Sequence, residues 1–173
     1  MTLSLERINS AKASNFLVSK KKIVLITGAE SGIGKSTTKV FLDNDYRVIG
    51  TCLKNNKNKD IKGIEYYKID ITNNLEWENL ASHIKDKYKK IDVLVNSAGV
   101  RLSGNLETTS MNDWSYHLNN NVTGTFLSCK HILPFLKKAK NSSIINLASI
   151  NSVRGVKNML AYATSKSAII SFT

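Results

Sequence analysis

The sequence holds a single proline, two cysteines, three histidines and an aromatic share of only 8%. Cysteines as far apart as Cys52 and Cys129 make neither a disulfide framework nor a metal-binding pair, so a reducing, cytoplasmic setting is expected. His83, His117 and His131 are scattered, with no triad or metal spacing around them. They read as packing or surface residues, and no metal site is expected. No apolar run approaches the roughly 20 residues of a membrane-spanning helix; residues 23–26 and 93–95 have the length of strands, and no membrane partner is expected. Acidic residues are scarce too, 13 against 25 lysines and arginines, for a formal charge of +12. The lysines are dispersed and no basic helix interleaved with aromatics occurs, which argues against nucleic acid. A solvated basic surface remains, whose field attracts anionic ligands.

What is present suits one buried domain: 173 residues, 42% of them hydrophobic, are too few for two. Residues 1–21 mix polar and apolar side chains without the basic start and apolar core of a secretory signal, and read as an N-terminal extension to a globular unit over 22–173. From Lys22 onward short β-branched runs alternate with longer segments of helical period, the pattern of a parallel sheet covered by helices. Strands are expected at 23–26, Arg47–Cys52, 64–69, 91–96 and 143–147. Helices are expected at 33–44, at 73–88 with Leu75, Trp77, Leu80, Ile84 and Tyr88 inward, at 110–138 as one broken or two consecutive pieces, and from about Ala161. The run of lysine and asparagine from Lys54 to Lys62 reads as a solvated loop. Right-handed crossovers then give an α/β, Rossmann-type doubly wound sheet in the order 3-2-1-4-5.

Thr27-Gly28-Ala29-Glu30-Ser31-Gly32-Ile33-Gly34 falls where the first strand meets the first helix. Glycines there permit positive φ and bring backbone amides close to a phosphate at the positive end of a helix. The close, Gly34-Lys35-Ser36, has the look of a triphosphate-binding P-loop, but that motif needs four residues before its Gly-Lys pair and here there are five. Asp92 stands at the start of its strand, where a magnesium-binding acid would be misplaced.

Four further motifs follow in order. Asn96-Ser97-Ala98-Gly99 ends the fourth strand. Asn121-Val122-Thr123-Gly124 lies in the long helical region, with Gly124 fixing the register among Asn119, Asn120 and Asn121. Ser149 follows the fifth strand, and Tyr162-Ala163-Thr164-Ser165-Lys166 opens the last helix thirteen residues later. Tyr162 and Lys166, four apart, share one helix face. This series resembles the short-chain dehydrogenase/reductase family, and within it looks most like the beta-ketoacyl carrier-protein reductases, helped by Val48-Ile49-Gly50-Thr51.

The resemblance implies an NAD(P)(H)-dependent oxidoreductase interconverting a small-molecule carbonyl and an alcohol. By it, Tyr162 donates the proton, Ser149 hydrogen-bonds the substrate oxygen, Lys166 holds the nicotinamide ribose and lowers the tyrosine pKa, and Asn121 positions a water. A tyrosine must fall by roughly three units from about 10 to work near neutral pH. The cofactor set is Gly28, Ser31, Gly32, Ile33, Gly34, Lys54, Asp70, Asn96, Ala98, Gly99, Tyr162 and Lys166, with Asp70 either meeting the adenine or capping the next helix. Cys52 stands where an acid would select NAD(H), and Lys54 is close by, so NADP(H) is favoured, although Ser31 replaces a phosphate-binding arginine or lysine of many relatives. Family members run on through two more strands, and by this comparison the fold is expected to be incomplete: β5 an exposed edge, Ile169, Ile170 and Phe172 uncovered, and homo-oligomerisation a property of the full-length form. A non-catalytic fragment that binds a nucleotide or a partner chain stands as the alternative.

Overall fold

The computed structural model describes residues 21–53 and 61–173. Lys54, most of the lysine and asparagine loop, and the N-terminal extension apart from Lys21 lie outside the described residues. Five parallel strands, β1 (Ile23–Thr27), β2 (Arg47–Cys52), β3 (Ile64–Lys68), β4 (Val93–Asn96) and β5 (Ser143–Asn146), form one sheet in the order β3-β2-β1-β4-β5. The intervening helices are α1 (Gly32–Asp43), α2 (Asn74–Lys87), α3 (Met111–His117), α4 (Gly124–Leu136) and α5 (Leu160–Phe172). The long helical region is thus two α-helices, joined without a break by a π-helical turn at Leu118–Thr123.

β1 lies at the centre because it can be buried on both faces: all five of its residues are inaccessible, as a continuous apolar run requires. Its alternation sorts the core into two layers. Ile23 and Leu25 join Trp77, Leu80, Ile84, Leu94, Ile132 and Phe135 beneath α2 and α4, whereas Val24 and Ile26 join Val48, Val95, Phe41 and Leu42 on the α1 side. Leu75 departs from expectation: it is 62% exposed. The inward stripe of α2 runs through Trp77, Leu80 and Ile84, and a residue two before Trp77 sits about 200° round the helix. Asn73 caps this helix by accepting from the amides of Leu75 and Glu76. Asp92 precedes β4; its carboxylate accepts from the Ile23 amide and pairs with Lys90.

The two sheet edges differ. On β3, Glu65 accepts from Lys87 Nζ at 2.5 Å and from the hydroxyls of Tyr67 and Tyr88, which pins the strand to α2. On β5, Ser143, Ile144 and Ile145 are exposed, as expected. Ile170 and Phe172 are also exposed, but Ile169 is not. It falls with Ala161 and Ser165 at four-residue intervals on the buried face of α5, which packs on α3 and the π-helical turn. Among the described residues no helix is long and apolar enough to cross a membrane, and no three His, Cys, Asp or Glu side chains converge to hold a metal.

Candidate active site

In the order 3-2-1-4-5 the chain reverses its direction of travel between β1 and β4, and the loops leaving their carboxyl ends part to form a crevice. A cleft of about 320 Å³ lies there. It is lined by Gly28, Glu30, Ser31, Gly32 and Ile33 after β1, Thr51, Cys52 and Leu53 at the end of β2, Ile69, Asp70 and Ile71 after β3, and Ser97 to Val100 after β4. Tyr116 and Asn120 close the far side. Thr27 holds the two central loops together, its hydroxyl accepting from the amides of Ser97 and Ala98, both at 3.0 Å.

The glycine loop is built for close approach. Gly28 and Gly32 have φ of 64° and 50°, a region that costs other residues about 1–2 kcal/mol. Gly34 does not line the cleft; it lies beneath the loop, where a Cβ would stand 2.2 Å from the Gly28 carbonyl oxygen. The first turn of α1 thereby sits directly under the turn leaving β1, with amides that have no intrahelical partner beside the cleft. Such a cradle fits the phosphates of a dinucleotide. Asp70 lines the cleft, and its Oδ1 accepts from the Thr72 amide and hydroxyl. It stabilises the turn ahead of α2, while the helix cap itself is Asn73.

Asn96 lies below the cleft floor and ties three elements together. Its Nδ2 donates to Asn146 Oδ1 on β5 at 2.8 Å and to Cys129 Sγ on α4, and its Oδ1 accepts from the Ser128 hydroxyl. Burial pushes the Cys129 thiol pKa up, so it packs as a neutral group.

The π-helical turn presents Asn121, only 1% exposed, to the loop after β4. Asn121 Oδ1 accepts from the Val100 amide at 2.7 Å, and Nδ2 donates to the Val100 carbonyl at 3.0 Å and to Ser165 Oγ at 2.8 Å. One side chain therefore grips a complete peptide unit and the last helix together. A Cβ on Gly99 would lie 2.8 Å from Asn121 Oδ1 and 3.6 Å from Lys166 Nζ, so both groups border the space beside Gly99 at the cleft wall. Lys166 is buried and donates to the Leu147 carbonyl at 2.6 Å. Burial lowers its pKa.

Ser149 caps a 3₁₀ turn, Ile150–Ser152, its oxygen accepting from the Asn151 amide at 3.2 Å, which leaves its proton for another acceptor. Ser167 Oγ donates to the Ser152 carbonyl at 2.9 Å and fastens that turn to α5. Tyr162, in the first turns of α5, is half-buried, and among the described residues its hydroxyl has no hydrogen-bond partner. The structure thus brings Asn121 and Lys166 together beside Gly99, and holds Ser149 and Tyr162 on elements fastened to each other.

Sequence reading missed the parts played by Thr27, Tyr116, Asn120 and the Val100 peptide, and left His117 open between packing and surface, where the structure buries it. The first was visible, since a threonine before a strand-ending glycine offers a hydroxyl at the switch point; the others depend on tertiary contacts with no local signal.

Fold and cleft together define a doubly wound α/β protein with a site suited to a nucleotide at its switch point. The short chain dehydrogenase family model matches residues 22–173, and the chain belongs to that family. It is 34% identical over 148 residues to a 3-ketodihydrosphingosine reductase of Bacteroides thetaiotaomicron, covering 86% of this chain and 54% of that protein. It is 34% identical over 160 residues to the 3-oxoacyl-[acyl-carrier-protein] reductase FabG of Thermotoga maritima, covering 88% and 65%. Among solved structures, ElxO with NADP bound superposes with a TM-score of 0.83 at 35% identity, covering 88% of this chain and 65% of that one. Ligand-free aldohexose dehydrogenase of Thermoplasma acidophilum gives 0.82 at 32%, covering 88% and 59%. The chain spans between about half and two-thirds of the length of these relatives.

Proposed function

We propose that this chain is the cofactor-binding and proton-transfer part, over residues 22–173, of an oxidoreductase that interconverts a carbonyl and an alcohol. The observation that carries the reading is the meeting of Asn121 Oδ1 and Lys166 Nζ beside Gly99, one helical turn along α5 from Tyr162. When bound, a nicotinamide dinucleotide supplies or accepts the hydride. Gly28, Ser31, Gly32 and Ile33 receive its phosphates at the first turn of α1, with Gly34 setting that turn's height. Asp70, Ala98 and Gly99 flank the adenine and ribose portions, over the scaffold that Asn96 braces.

Tyr162 donates the proton to the carbonyl oxygen, and the spare Ser149 proton stabilises charge on that oxygen. Lys166 contributes positive charge on the Tyr162 face of α5, and its remaining N–H groups would hold the ribose of the bound cofactor. Both Asn121 amide protons are committed to Val100 and Ser165, so Asn121 holds the relay water through Oδ1. The expected outcome for Tyr162→Phe, assayed in the protein carrying this chain, is loss of turnover with cofactor binding retained; substantial residual turnover would count against the assignment.

The favoured cofactor is NADP(H). Cys52 rather than an acid ends β2, Lys54 follows in sequence, and ElxO was solved with NADP. Glu30 and Asp70, the carboxylates lining the cleft, leave the lysines after β2 as the source of phosphate affinity. Calorimetric titration with both cofactors tests this, and a clear preference for NAD(H) refutes it. The names of two relatives point to 3-oxo substrates, with a 3-oxoacyl carrier-protein ester as the specific candidate. The free thiols of Cys52 and Cys129 fit a reducing cytoplasm, and the exposed Ile170 and Phe172 fit burial in a homo-oligomer.

A further inference from the structure

His117 is 1% exposed at the end of α3, beside the proposed proton donor. Its Nε2 lies 2.9 Å from the Leu102 amide nitrogen and its Nδ1 lies 2.7 Å from the Asp113 carbonyl oxygen. A backbone N–H can only donate and a carbonyl can only accept, so the ring is the neutral tautomer with its proton on Nδ1. Its edge meets the Tyr162 ring at a centroid distance of 6.4 Å and an interplanar angle of 68°, an edge-to-face contact.

Leu102 lies in the middle of a short run held at every second residue. Asn121 grips both backbone groups of Val100, His117 accepts from Leu102, and Gly104 exchanges hydrogen bonds with the start of α5, donating to the Asn158 carbonyl at 2.8 Å and accepting from the Leu160 amide at 3.0 Å. This run connects the cleft wall at Val100 to the helix that carries Tyr162. His117 touches it at its centre and touches Tyr162 with the same ring.

We propose that His117 is a positioning residue for Tyr162: it fixes the ring by direct contact and fixes the entry to α5 by holding Leu102. The proposal rests on Tyr162 being the proton donor, and it is tested by readouts that need no turnover. The protein carrying this chain is compared with its His117→Leu and His117→Gln variants, following hydrogen exchange at the Leu102 amide and the ring-proton resonances of Tyr162, the latter identified by their loss in Tyr162→Phe.

Leucine fills the slot but accepts nothing, so Leu102 exchanges about tenfold faster or more. Glutamine carries an acceptor to the place of Nε2, so Leu102 stays within about threefold of the unsubstituted protein. Both replacements remove the ring contact, so the Tyr162 ring resonances move toward those of an unrestrained tyrosine. Unchanged exchange in His117→Leu, lost protection in His117→Gln, or unmoved Tyr162 ring resonances overturn the proposal. Should His117→Leu fail to fold, His117→Gln decides alone, with protection kept and the Tyr162 resonances moved as the supporting pair. Failure of the proton-donor reading shows instead as turnover surviving Tyr162→Phe, so the two failures are distinguishable.

Discussion

Replacing Gly34 by alanine, with Gly32 as the companion, separates two reasons for a glycine within one loop. At Gly34 the added Cβ would lie 2.2 Å from the Gly28 carbonyl oxygen, 2.9 Å from its carbon and 3.1 Å from Ser97 Oγ. Relief requires a shift of roughly 1 Å, and the nearest obstacle is backbone that no rotamer change can move. That backbone follows Thr27, whose hydroxyl holds the β4 loop, so α1 and β1 must separate. Overpacking of this severity costs about 3 kcal/mol or more. At Gly32 nothing stands within 4 Å of the added Cβ, but φ is +50°. The left-handed conformation costs about 1–2 kcal/mol, and the lower entropy of the unfolded chain returns about 0.4–1 kcal/mol, for a net loss near 1 kcal/mol. At about 2–4 °C per kcal/mol for a chain of this size, Gly34→Ala lowers Tm by about 10 °C and Gly32→Ala by about 3 °C in thermal melts followed by circular dichroism. Dinucleotide binding fails in the first and survives in the second. Equal melting of the two variants would refute the steric argument.

Asn121→Ala strands the part-buried Val100 amide and carbonyl, while the Ser165 hydroxyl keeps its bond to the Tyr162 carbonyl, and at about 1 kcal/mol for each stranded group it lowers unfolding stability in urea by about 2 kcal/mol; a loss below about 0.5 kcal/mol would show that the π-helical turn holds without this grip. Burial would raise the Glu65 carboxyl pKa, but the hydrogen bonds from Lys87, Tyr67 and Tyr88 prevail and hold it at about 2 against an ordinary 4.5. A carboxyl depressed on folding stabilises above its unfolded pKa and loses that contribution as pH falls from 4.5 toward 2. For a partly exposed group the value is about 1 kcal/mol after solvent screening. Glu65→Gln is therefore less stable than the unsubstituted protein at pH 7 in urea titrations, and the gap closes toward pH 2; a gap independent of pH would place the origin elsewhere.

Strand order and the five motifs were readable from the sequence because each rests on a local rule: β1 as a continuous apolar run, α2 as a periodic stripe, Tyr162 and Lys166 as helix neighbours. Leu75 and Ile169 were misread for a related reason. Hydrophobicity says that a residue favours burial, whereas which face of a short helix is covered depends on the partner, and α5 packs its Ala161, Ser165 and Ile169 face on α3 and the π-helical turn. That turn has no composition signal, since an i to i+5 bond leaves the residue pattern of an α-helix almost unchanged. Asp70 was open between two roles because a carboxylate before a helix suits both; only the geometry shows Asn73 taking the cap. His117 looked ordinary because the two contacts that single it out, the Leu102 amide and the Tyr162 ring, come from a loop and a helix elsewhere in the chain.

The Glu65 clamp on β3 mixes two kinds of fastening that respond differently to the solvent. The Lys87 ammonium is an exposed charge, so its pull on the carboxylate weakens as salt is added. The hydroxyls of Tyr67 and Tyr88 are neutral donors to the same carboxylate and keep their bonds. Ionic strength therefore loosens the tie to the last turn of α2 while the strand stays held by its tyrosines.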